Sequence, residues 1–141
     1  MQKHFLKYFV FEWKFPLGNL SCPYAYRWRL DFYLLSFRLH YWFGDDDKRA
    51  FHDHPWAFIT FILFGGYYDV TENGRQLVKW CAYRKRNHKH YVQMIHKNSK
   101  CLSFIITFGK PKRYSFYLTD GSHRRWTRDK YFHKLGHPIC D

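Results

Sequence analysis

Four histidines stand in two pairs of identical spacing: His52 and His54 around Asp53 in AFHDHPW, and His88 and His90 in NHKHYVQM. Residues two apart on a β-strand project to the same face, so each pair can aim two imidazoles at one point. Neutral imidazole is a ligand for Zn, Fe, Ni and Cu. A metal centre needs this supply, two ligands from one strand and one or two from a strand facing it. The competing role for each pair is that of ordinary core or surface histidines. Asp53 alternates with its neighbours and points to the opposite face of a regular strand, so it does not join the pair as a ligand.

Weaker candidates surround these pairs. His40 alternates with Arg38 and Trp42 and could face the same interior as a second base, against a hydrogen-bonded core role. Arg27 and Arg29 share a face and could hold a carboxylate or phosphate, although surface pairing with Asp45 to Asp47 is the simpler expectation. Trp56, Phe58, Tyr67, Tyr91 and Tyr117 read as core, or as an aromatic mouth for a planar ligand.

The elements that must position these groups are short strands. Aromatic residues make up 23% of the 141 positions, with only 5 Pro and 8 Gly, which favours strands over helices. YAYRWRL places Tyr24, Tyr26, Trp28 and Leu30 on one face and Ala25, Arg27 and Arg29 on the other, the period of a strand. FYLLSFRLHYWF is expected to form the next strand and to end at Gly44-Asp45-Asp46-Asp47. WAFITFILF closes at Gly65-Gly66, and YYDV leads into a hairpin turn at Asn73-Gly74. QLVKWCAY, HYVQMI, CLSFIITF and YSFYLT follow as strands, with turns at 97–99, 109–111 and 120–122, and WTRDKYFHKL is expected to supply a turn or two of helix. Many short, closely spaced strands indicate an all-β sandwich or barrel. The turn-rich stretch from Pro16 to Pro23 sets off residues 1–23 as an N-terminal strand or arm from a domain spanning 24–141.

Charge is unevenly distributed. Residues 1–74 hold 8 Lys/Arg against 8 Asp/Glu and residues 75–141 hold 16 against 3, so the whole excess of +13 lies in the second half. RKRNHKH, with Tyr83 and Tyr91 beside it, could grip phosphates and stack bases, making nucleic acid or another polyanion a candidate partner if these residues share a face. A solvated basic surface is the alternative. Four cysteines without C-x-x-C spacing form neither a zinc knuckle nor a redox motif. With no apolar run near ~18 residues and no signal peptide evident, the expectation is a cytoplasmic chain with reduced, mostly buried thiols and no membrane partner.

Over about 100 residues the sequence resembles a family of small single-domain cupins, many of them encoded by phages or bacteria. The matching residues are Arg27-Trp28, Leu39-His40, the acidic turn, HDHPW from His52 to Trp56, Gly65-Gly66-Tyr67, His90, GKPKRYSFYLTDG from Gly109 to Gly121, and Trp126. The resemblance implies a single antiparallel jelly-roll barrel with a metal inside, in host cytoplasm for a viral member. It also implies that His52, His54 and His90 are the ligands, with His88 as a substitute for His90 under a shifted register. The family's Glu ligand falls at Phe58 or Ile59 and is missing, and Lys85 and Asn87 replace the Pro and Gly of the second motif. A three-His site of this kind resembles thiol dioxygenase-type cupins. It implies Fe(II) as the ion, with Zn, Ni or Mn as alternatives, a small-molecule ligand, and homodimers formed through sheet edges.

Overall fold

The computed structural model describes residues 2–6, 9–109, 114–120, 122 and 124–136. Thirteen strands and one helix follow in chain order: β1 (Gln2–Leu6), β2 (Phe9–Asn19), β3 (Cys22–Phe32), β4 (Leu35–Trp42), β5 (Ala50–His52), β6 (Ala57–Phe64), β7 (Tyr67–Thr71), β8 (Gly74–Val78), β9 (Cys81–Arg84), β10 (Tyr91–Met94), β11 (Cys101–Phe108), β12 (Ser115–Leu118), β13 (Arg125–Thr127) and α1 (Arg128–Leu135). Seven strands make one antiparallel sheet in the order β1-β2-β3-β4-β11-β6-β9. The opposing layer consists of β13-β12-β5 and β10-β7-β8, joined where His52 and His90 exchange backbone hydrogen bonds of 2.9 and 3.1 Å. The all-β jelly roll with a short C-terminal helix stands as expected. Thr127 caps α1 by accepting a hydrogen bond from the Lys130 backbone N–H.

Two expected strands are each divided. Tyr33 and Leu34 turn between β3 and β4, so FYLLSFRLHYWF straddles a hairpin. QLVKWCAY breaks at Lys79-Trp80, and its halves enter different sheets, β8 pairing with β7 and β9 with β6. Local composition is continuous across both breaks, and only the pairing partners separate the halves. The turn at 97–99 is present, whereas those at 109–111 and 120–122 lie partly outside the described residues. β2 pairs with β3, with a bulge at which Lys14 takes φ +44°. At Gly65 (φ +75°) a Cβ would sit 2.1 Å from the Lys100 carbonyl oxygen, so the close of β6 against β11 requires glycine.

The large sheet carries its charge on the inner face. Register places Arg29, Arg38, Ile105 and Thr60 in one inward row, and Arg27, His40, Ser103 and Ile62 in the next. Outward rows are Leu30, Phe37, Ile106, Ile59 and Trp28, Leu39, Phe104, Phe61. This corrects the expectation that Arg27 and Arg29 meet Asp45 to Asp47 at the surface. Arg27 instead donates to Glu12 at 2.6 and 3.2 Å, Arg29 lies 3.5 Å from Glu12 and 3.4 Å from Asp31, and Glu12 is only 1% exposed. Alternation establishes that two faces exist, but it does not say which one turns inward.

The three aspartates serve other partners. Asp45 accepts from the Met94 backbone N–H at 2.6 Å, and Asp47 accepts from Arg49 and from the Tyr131 hydroxyl at 2.8 Å. Cys22 is disulfide-bonded, contrary to the expectation of reduced thiols. Cys81 and Cys101 are free, the first exposed and the second buried. Cysteine spacing does not reveal which thiols the tertiary fold brings together.

Candidate metal centre

His52 and His90 reach the same face because they are directly opposed in an antiparallel bridge, where side chains of paired residues lie side by side. His54 follows two residues later and is held by its backbone N–H donating to the Arg86 carbonyl at 3.0 Å. The three rings are 4.8 to 5.0 Å apart between centroids. One ligand nitrogen from each lies within 4.8 Å of the others. His54 Nε2 and His90 Nε2 stand 3.2 Å apart. Two nitrogens at ~2.05 Å from a tetrahedral ion would be separated by about 3.3 Å, so the spacing fits one shared ion.

Protonation state favours the same reading. Burial pushes His52 below its ordinary range, opposed by the Asp46 charge. It pushes His54 further down, with His90 and His52 adding to the effect. Both rings are therefore neutral at pH 7, with a lone pair available.

Carboxylates stand behind two of the three. Asp69 Oδ1 lies 3.0 Å from His90 Nδ1, and Asp46 Oδ2 lies 3.5 Å from His52 Nδ1. A carboxylate at one ring nitrogen orients the ring and leaves the other free to coordinate. His54 Nδ1 is buried with no hydrogen-bond partner among the described residues. Burial works against the Asp69 carboxylate, yet contacts from His88 and His90 hold it far below the usual range. Arg84 Nε donates to it at 2.8 Å.

His88 does not replace His90. Its Nε2 meets Asp69 at 3.1 Å, making a second cluster of Asp69, His88 and His90. Because Asp69 is already occupied by Arg84, the three-His group is the better donor set. His40 lies apart, inward on β4, with both ring nitrogens buried and unpartnered among the described residues. Burial, with Arg27 and Arg38 nearby, keeps it well below its ordinary range. Asp53 turns away from the histidines and accepts from the Ser115 N–H at 2.7 Å. Phe58, where the resemblance puts the missing Glu, packs its ring 4.6 Å from that of His54. The sequence reading did not place Asp69 or Asp46 at the centre; Asp69 is a single acid inside the apolar strand YYDV, and Asp46 was read only as part of the acidic turn.

An open cleft of about 900 Å³ runs beside the centre, lined by Phe51, Asp69, Arg75, His88, Lys89 and Tyr117. Lys89 rests over the Tyr117 ring at 4.1 Å. Other basic residues of the second half take separate positions. Arg84 points inward to Asp69, Arg124 pairs with Asp120, and Arg125 donates to Ser115 Oγ. No helix is long and apolar enough to cross a membrane among the described residues.

No family profile matches the chain, and no curated protein matches it. Solved structures do. A cupin-2 domain protein of Rhodospirillum rubrum is 12% identical over 77% of this chain and 75% of its own, with a TM-score of 0.58. A cupin-superfamily sugar phosphate isomerase of Silicibacter pomeroyi is 13% identical over 81% and 80%, with a TM-score of 0.50. Fe(II)-HppE with an alternative substrate is 11% identical over 66% of this chain and 55% of its own, at 0.51. At these identities the likeness speaks to architecture, and together with the two-layer antiparallel topology it shows that the chain has the cupin fold.

Proposed function

We propose that the protein is a small metal-binding cupin in which His52, His54 and His90 hold one divalent ion, Fe(II) in preference to Zn, Ni or Mn, beside a cleft that admits a small molecule. The carrying observation is the 3.2 Å approach of the His54 and His90 Nε2 atoms, with Asp69 behind the second ring. When bound, such an ion polarises a ligand oxygen or activates water or dioxygen at coordination positions that the protein leaves open. The chain's own groups prepare this. Burial keeps His52 and His54 unprotonated, Asp69 orients His90, and Phe58 shields the His54 side from solvent. His88 and Lys89 at the cleft wall stand where a polar ligand group would enter. The similarity in fold to Fe(II)-HppE supports iron.

The test is elemental analysis of tag-free protein beside a His52→Ala/His54→Ala variant. The expected result is near one equivalent of metal in the parent, lost in a folded variant. A metal-free parent that cannot be reconstituted with Fe(II), Mn(II), Zn(II) or Ni(II) would overturn the proposal.

A further inference from the structure

Three arginines on the inner face of the large sheet share two carboxylates. Arg27 takes both oxygens of Glu12, at 2.6 and 3.2 Å, and Arg29 lies 3.5 Å from Glu12 and 3.4 Å from Asp31. Arg38 is left with the least. Its nearest carboxylate oxygen is Asp31 Oδ1 at 3.7 Å, beyond hydrogen-bond length, and that oxygen already accepts from the Ser36 hydroxyl. The one hydrogen bond its guanidinium makes among the described residues runs from Nε to Ser36 Oγ at 3.0 Å. A guanidinium carries five N–H donors, so the other four lack a hydrogen-bond partner among the described residues, on a side chain whose residue is only 6% exposed. Three positive charges against two negative leave one positive charge uncompensated in a poorly hydrated place. Burial and the Arg27 charge accordingly push Arg38 down to about 9, still protonated at pH 7.

A pocket opens beside this cation. Register sets Val10, Asp31, Ser36 and Thr107 side by side in the inward row next to that of Arg38, and the turn at Tyr33-Leu34 brings Phe32, Leu34 and Leu35 to the rim. The cavity measures about 170 Å³ and includes Arg38 and Trp56 in its wall. Arg38 Cζ lies over the Trp56 ring, 4.0 Å from its centroid. Among the described residues, no member of the three-His group and none of the cleft beside it lines this pocket.

Charge, donors and size select what fits. Unused N–H groups in a planar fork match an oxyanion. A monoanion neutralises the residual charge, whereas a phosphate dianion would leave a negative charge facing Asp31, which lines the same pocket. Phe32, Leu34 and Leu35 around the mouth favour an apolar body. The volume equals the liquid share of about six waters, enough for a carboxylate with one ring or a short branched chain and too little for a nucleotide.

We infer that this pocket is a second ligand site, which binds a small monocarboxylate with its carboxylate on the unused N–H groups of Arg38 and its apolar body against Phe32, Leu34 and Leu35. Such a ligand completes the pairing of charges that Glu12 and Asp31 begin, and it does so without contact to the three-His group.

Isothermal titration calorimetry of the full chain with benzoate tests this, with benzamide as the neutral isostere and phenyl phosphate as the dianion. Benzoate should saturate one site with a dissociation constant of ~1 mM or tighter, and the other two probes should bind at least ~10-fold more weakly. Arg38→Gln should weaken benzoate by ~10-fold or more, while the His52→Ala/His54→Ala variant should hold it within about two-fold of the parent. Leu34→Glu, in a turn and 54% exposed, keeps the test open if Arg38→Gln fails to fold: its carboxylate at the mouth should weaken benzoate by ~3-fold or more at low salt. Absence of saturation by ~10 mM benzoate overturns the inference. So do benzamide matching benzoate, phenyl phosphate exceeding it, and unchanged benzoate binding by a folded Leu34→Glu variant. Binding that persists in folded Arg38→Gln but disappears with the two histidines overturns it as well, since the anion would then sit at the three-His centre.

Discussion

Replacing Asp69 by Asn tests the centre through a residue that its sequence position did not advertise. The carboxylate is 2% exposed and touches Arg84 at 2.8 Å, His90 at 3.0 Å and His88 at 3.1 Å. Asn matches its shape, so little is lost in packing; the charge is lost, and Arg84, with a side chain 16% exposed, is left without its counter-charge. Breaking a buried pair in this way costs about 3 kcal/mol or more, and a domain of this size loses roughly 2–4 °C of melting temperature per kcal/mol. The metal-free variant should therefore melt ~6–12 °C below the parent. Separately, His90 loses the carboxylate that lies 3.0 Å from its Nδ1 and orients the ring with Nε2 toward His54. Removal of such an orienting carboxylate weakens metal binding by 10- to 100-fold, about 1.4–2.8 kcal/mol. Competition with a chelator of known affinity, with the variant held well below its melting point, separates the two effects. Affinity within about two-fold of the parent in a folded variant would refute the orienting role. Loss far beyond 100-fold, with His54→Ala harmless and His88→Ala equally damaging, would move the metal to the Asp69, His88 and His90 cluster.

Glu12→Gln should destabilise the protein by about 3 kcal/mol in urea unfolding, because Arg27 and Arg29 lose the buried carboxylate they share. For His40, burial lowers the folded-state pKa, so the unfolded chain binds the extra proton. The stability from its neutral ring is complete above pH ~6.5 and falls by about 1.4 kcal/mol per unit as pH drops below that value toward the folded pKa. His40→Phe should accordingly flatten the decline in urea midpoint between about pH 7 and pH 5.5 relative to the parent; an unchanged decline would place the titration elsewhere. Gly65→Ala combines φ +75° with a Cβ 2.1 Å from the Lys100 carbonyl and should cost at least ~2 kcal/mol, read as a lower melting temperature.

Much of the architecture was open to local reading. WAFITFILF, YYDV with its Asn73-Gly74 turn, HYVQM and CLSFIITF became β6, β7, β10 and β11, because an apolar run ended by a turn signal is decided within a few residues. The tail WTRDKYFHKL was expected to give a turn or two of helix and forms Arg128–Leu135, capped at Thr127. QLVKWCAY was not, since nothing local marks the point at which a chain leaves one sheet for another. In the centre, the spacing of His52 and His54 was sufficient to place two imidazoles on one face.

The sequence by itself determined periods: which residues alternate, which pairs of histidines share a face, and how much charge the second half carries. It left open what those faces meet, which depends on partners brought from far along the chain. His90 joins His52 only through the bridge between two strand groups, and Asp69 stands behind it only because β7 pairs with β10. Arg27 and Arg29 alternate with Tyr26, Trp28 and Leu30 in either orientation. Pairing with Glu12 on β2 stabilises these arginines in the interior and leaves the aromatic side of the strand facing out.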